Sequence, residues 1–144
     1  MHKINLKEKA QPLTGTIGYF TIQEETEKTF HYVNIPLFPF ETGLPDDIYP
    51  VKTEIMIEWL DLGLSDPHSL NHIEVNSHTH PRAEASISIH QKNHFCRIGQ
   101  LIFTQIEGNQ FKVNGELWID FEKHQLAQNE SFAFEIEAAL ILAR

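Results

Sequence analysis

From Glu54 to Trp59 the chain alternates, with Ile55, Ile57 and Trp59 to one side and Glu54 and Glu58 to the other. A helix buries a face every 3.6 residues, whereas a strand buries every second one, so this pattern selects β structure. The period recurs along the chain. Ile87 and Ile89 oppose Ser86, Ser88 and His90; Leu117, Ile119 and Phe121 oppose Glu116, Trp118, Asp120 and Glu122. Phe132, Phe134, Ile136, Ala138, Leu140 and Leu142 oppose Ser131, Glu135 and Glu137. Each segment has one apolar face for a core and one polar face for water. Further strands are expected at 15–23, 29–35, 71–76, 94–106 and 110–114, the last running on through Asn114-Gly115 by a bulge or tight turn.

Helical signals are few. Ser65-Asp66-Pro67 could open one short turn, with Ser65 or Asp66 capping and Pro67 first in the helix. The tail EIEAALILAR contains helix formers, but it continues the alternation from Phe132 and reads as strand. The expected fold is therefore all-β: an antiparallel β-sandwich or barrel of about eight strands with little helix. The 144 residues fit a single domain, 1–144, without repeats or a linker. A chain of this size buries roughly two-thirds of its unfolded surface.

No apolar run reaches the ~18 residues of a membrane span. The start MHKINLKEKAQPL lacks the apolar stretch of a secretory signal, and Cys96 is the single cysteine. Both features fit a cytoplasmic, reducing setting. The formal net charge is −9, and acids concentrate in 24–61 and 107–144. Such a field repels nucleic acid and favours a basic partner.

The segment HTHPRAE, 78–84, carries the residue types of a metal site. On a strand, His78 and His80 would share a face, with Glu84 as third ligand to a divalent metal. HxHxxxE resembles the first metal motif of the cupins, which are double-sheet β-barrels, and that resemblance implies a metal-dependent enzyme. The flanking cupin glycines are replaced by His72 and Gln91, and no proline follows Pro81 to supply a second motif. Pro81 cannot donate to a ladder, and Arg82 would repel a cation, so 76–82 reads as a polar connection between strands. His90 and His94 are the other histidines within reach in sequence. His94 and Cys96 share a strand face, but a Cys–His nucleophile needs a third group to orient it. No GxSxG, P-loop or GxGxxG pattern occurs. No catalytic residue and no cofactor is therefore expected.

Two surfaces suit a binding partner. Pairing of 116–123 with 131–138 as a hairpin gathers Glu116, Asp120, Glu122, Glu135 and Glu137 around Trp118. Opposed like charges and an exposed indole are unfavourable alone and favourable under a basic protein. The loop 35–50, IPLFPFETGLPDDIYP, is stiffened by prolines, and it either plugs the core or forms a preorganised binding loop. In the second case Phe38, Phe40, Asp46, Asp47 and Tyr49 face the partner.

In size, acidity and lack of catalytic motifs, the chain resembles bacterial immunity proteins. That resemblance implies occlusion of a toxin domain. Trp59-Leu60-Asp61-Leu62 and the late Asp120-Phe121-Glu122 also resemble a set of small uncharacterised bacterial β-proteins, over 54–142. The expectation is a non-enzymatic binding module with a basic protein partner. Its own state would be monomer, or homodimer through strand edges.

Overall fold

A computed structural model describes residues 1–23 and 26–141. Its elements are α1 (Leu6–Lys9), β1 (Gly15–Gln23), β2 (Glu27–Pro36), β3 (Glu54–Leu60), β4 (Ile73–Val75) and β5 (Glu84–Ile89). They continue with β6 (Lys92–Glu107), β7 (Gln110–Ile119), a 3-10 turn (Glu122–His124) and β8 (Glu130–Leu140). The strand order β6-β5-β3-β2-β1-β8-β7 closes because β6 also pairs with β7, and β4 adds to β6. The fold is a closed seven-stranded barrel with one extra strand. No helix among the described residues is long and apolar enough to cross a membrane.

All pairings are antiparallel except β1 with β8, which run parallel over Gly15–Ile17 and Ala138–Leu140. That parallel seam closes the barrel between the first and last strands. The interior is filled by side chains, including Ile17, Val33, Ile57, Ile87, Ile98, Phe103, Phe111 and Leu117. The expected alternation holds through Leu140 on β8. Leu142 lies outside the described residues.

Four local readings change. The Asn114-Gly115 step makes neither turn nor bulge; β7 runs straight through it, and the bulges lie on β6. Asp66 caps a turn and starts no helix, as the His68 N–H donates to its Oδ1 at 2.9 Å. The alternation through Ile87, Ile89 and His90 ends as strand at Ile89, because His90 and Gln91 both take positive φ in a two-residue hairpin turn. Trp59 does not face the core. Its φ is +58°, and Glu58 and Trp59 together oppose Tyr32. This bulge sends Leu60 inward and Trp59 outward.

Outside the barrel, Trp59 packs edge-on against Phe20 and Phe30, at 5.3 and 5.2 Å between centroids. The Arg82 guanidinium covers this cluster, 4.6 Å from the Phe30 ring centroid. A cation over aromatic faces is worth about 0.5–2 kcal/mol, so Arg82 holds its loop against the wall.

Candidate functional site: the outer wall around Trp118

Trp118 on β7 points away from the core and is 42% exposed. Across the ladder it opposes Arg97 on β6 and Ser131 on β8. The alternation that buries His94 and Cys96 turns Phe95 outward, where it is 51% exposed. Phe95 opposes Ser86 on β5, and Ser86 opposes Met56 on β3. Beside this row, Glu84 and Glu58 oppose one another directly. Like charges at such a position cost a few tenths of a kcal/mol, which a bridging cation would reverse. The band thus joins two exposed aromatics to a paired-carboxylate rim. Phe95 and Arg97 lie outside the surfaces expected from the sequence, although the 94–106 alternation contains their signal.

The expected acidic cluster is only partly assembled. The hairpin of β7 with β8 forms, with Glu116 opposite Ala133 and Trp118 opposite Ser131. Glu135, however, lies 3.7 Å from the Lys112 ammonium, and Glu137 opposes Lys112 in the ladder. Asp120 and Glu122 leave the strand to build a loop. Asp120 Oδ1 accepts the Lys123 N–H at 3.1 Å, and Glu122 Oε2 accepts the Asn129 N–H at 3.0 Å. In return the Glu122 N–H donates to Asn129 Oδ1, so the two side chains clamp 122–129. Sequence alternation missed this because the carboxylates meet backbone donors beyond the strand end.

The loop 35–50 divides its residues between core and surface. Phe40 is 4% exposed and plugs the core, so it cannot meet a partner as expected. Its backbone pairs with Val51 in an isolated bridge. Asp47 is engaged by the Thr42 hydroxyl and by His90, the latter at 2.6 Å. The Thr42 hydrogen bond first, and His90 second, hold its carboxyl below the usual range. Phe38 and Asp46 remain exposed. The tip is Ile48 and Tyr49, 78% and 77% exposed. The His90–Asp47 bond fastens this loop to the β5–β6 turn, whose second strand carries Phe95.

HTHPRAE forms a connection between β4 and β5. Asn76 Oδ1 accepts the Thr79 N–H at 2.8 Å, and Asn76 O accepts the His80 N–H at 2.9 Å. His80 Nδ1 meets the Thr79 hydroxyl at 2.9 Å, and Glu84 begins β5 on the outer wall. Among the described residues no three His, Cys, Asp or Glu side chains converge to hold an ion. Cys96 is buried, and burial pushes its thiol up to about 12. A nucleophilic thiol needs the reverse shift.

His31 and His94 are buried as neutral rings, each donating from Nε2 to a carbonyl, Pro67 O and Ile89 O respectively. Burial is the largest cause holding both below the ordinary 6.5. Below that pH the unfolded chain therefore binds more protons than the folded one. Stability is fully present above about pH 6.5 and declines as pH falls toward the depressed folded values. Urea midpoints should accordingly be lower at about pH 5 than at about pH 7.5. Equal midpoints would contradict the buried neutral state of these rings.

The fold and this surface define a filled β-barrel with an aromatic, acid-rimmed band on its outer wall. No family model, no curated protein and no solved structure matches the chain significantly.

Proposed function

We propose that the protein is a non-enzymatic binding module that covers a basic protein surface, in the manner of an immunity protein neutralising a toxin domain. The observation that carries this reading is the pair of exposed aromatics, Phe95 and Trp118, beside Glu58, Glu84 and Glu116 on one wall. Aromatic anchors ringed by charge are the usual energetic centre of a protein interface. The partner would lay an apolar spot over the two rings. Its Arg or Lys side chains would reach the Glu58–Glu84 pair. The Ile48–Tyr49 tip, fixed through His90, would form a second contact with little ordering cost.

A net charge of −9 would steer a basic partner and speed its approach. Binding would act by occlusion and would consume nothing. A low-salt pull-down from the native lysate, with mass spectrometry, tests the reading. The expected result is one dominant basic protein, released by salt. Trp118→Ala should then weaken binding at least about tenfold, mainly through faster dissociation, and added salt should slow association. Unchanged affinity in Trp118→Ala would move the interface off this wall.

A further inference from the structure

The left-handed backbone at Trp59 also opens a cleft. Trp59 at the end of β3, and Asp61 just beyond it, face the turn 79–83 across a cavity of about 240 Å³. Pockets for drug-sized ligands begin near ~300 Å³, so a ligand here is smaller than those. A φ of +58° is unfavourable for a bulky residue. Regular alternation would bury the indole in the core, whereas the bulge makes it a wall of this cleft.

The opposite wall comes from the segment HTHPR, which its own backbone fixes. The His80 N–H donates to Asn76 O at 2.9 Å, and the Ala83 N–H to His80 O at 3.0 Å. The Thr79 hydroxyl has two acceptors in reach, His80 Nδ1 at 2.9 Å and Asn76 O at 3.5 Å. Its proton goes to the nearer one, which leaves the neutral imidazole's own proton on Nε2. The Arg82 guanidinium lies 4.6 Å from the Phe30 centroid and 5.6 Å from the Trp59 centroid. Such stacking uses the face of the guanidinium, while its N–H donors point outward in its plane. Arg82 forms no salt bridge among the described residues, so a fork held by aromatic rings has no acid to bind.

Asp61 supplies the opposite charge. Lys28 approaches its Oδ2 at 3.6 Å, and both side chains reach solvent, where such a pair is weak. Asp61 and Arg82 thus line one small cleft without neutralising each other. That arrangement complements a ligand carrying both charges. Glu58 and Glu84 lie close by in the chain, and with the net charge of −9 they disfavour a ligand that is only negative.

We infer that this cleft binds a small zwitterion, an α-amino acid with an apolar side chain. Its carboxylate would meet the Arg82 fork and His80 Nε2, and its ammonium Asp61 Oδ1. Its side chain would lie against Trp59 and Pro81. The cleft shares no residue with the Trp118 wall, and the inference does not depend on the proposed function.

The probe is phenylalanine, titrated into the full chain by calorimetry and followed by NMR. Expected is saturable binding, with shifts at the Trp59 indole and at the amides of Thr79, His80, Arg82 and Ala83. Two analogues each lack one charge: 3-phenylpropionate has no ammonium, and phenethylamine has no carboxylate. Each should bind the unaltered protein at least about tenfold more weakly, because charge-assisted hydrogen bonds are the strong ones. Asp61→Asn should remove most of the preference for phenylalanine over 3-phenylpropionate. Arg82→Lys keeps the charge and loses the fork, and should weaken phenylalanine at least about tenfold. The analogue series uses unaltered protein, so it holds however the variants fold. Equal binding of 3-phenylpropionate would reduce the cleft to a plain anion site and overturn the inference. So would the absence of saturable binding up to about 10 mM, or shifts confined to residues outside the cleft.

Discussion

Gly115→Val is expected to cost about 3 kcal/mol of folding free energy, the upper end for overpacking a filled core. Strand propensity alone points the other way, because valine favours β structure and glycine weakens a strand interior. Packing decides the sign. Gly115 on β7 opposes Phe134 on β8, and a Cβ built on Gly115 would overlap the edge of the Phe134 ring at Cζ, Cε1 and Cε2. Phe134 is itself buried, so the ring cannot swing into solvent without exposing core. Urea unfolding of four proteins checks this: the parent, Gly115→Val, Phe134→Leu and the double variant. Shrinking Phe134 should recover at least about 1 kcal/mol of the valine penalty, a coupling typical of touching residues. Additive losses would mean that the ring and the glycine do not share this space.

Removing the Glu130 carboxylate should be nearly as damaging. Glu130 sits at the start of β8, buried at 4% exposure, and accepts the Asn5 N–H at 3.1 Å and the Leu6 N–H at 2.8 Å. Asn5 holds a left-handed conformation at the entry to α1, which places both donors against one carboxylate. Ile4 and Leu6, on either side, are fully buried. In Glu130→Ala both donors lose their acceptor, and each buried unpaired N–H costs about 1–3 kcal/mol. The deleted carboxylate relieves some desolvation, so a net loss of about 3 kcal/mol is expected. Glu130→Gln should recover less than half, because its amide offers one acceptor and turns a donor toward the second N–H. Denaturant midpoints measure the loss. Amide exchange at Leu6 and Ala10 shows whether the N-terminal segment detaches before the barrel opens. A midpoint within experimental scatter of the parent would show that water satisfies these donors when the carboxylate is gone.

Period-two alternation made the barrel strands readable. β1 and β8 follow expectation closely, and the β7–β8 hairpin places Trp118 outward as the alternation requires. Alternation failed where the backbone leaves the regular pleat. At Trp59 a single left-handed residue reverses which side chain faces the core, and nothing in IEWL marks it. At Asp120 and Glu122 the strand has ended, so carboxylates counted on a polar face instead bond loop amides. In the 35–50 loop, composition showed aromatics without distinguishing Phe40, which plugs the core, from Tyr49, which stands in solvent.

The sequence by itself determined the all-β class, the charge and the inward residues of the regularly pleated strands, because alternation and composition are local quantities. The tertiary structure decided how the sheet closes and which outward side chains it brings together. Closure depends on β1 and β8, more than a hundred residues apart, meeting in a parallel seam that no local pattern encodes. Pairing of β6 with β7 and β5 sets Phe95 in the same band as Trp118. A strand's faces follow from its own residues, but its neighbours follow from which distant strands bury the most surface together.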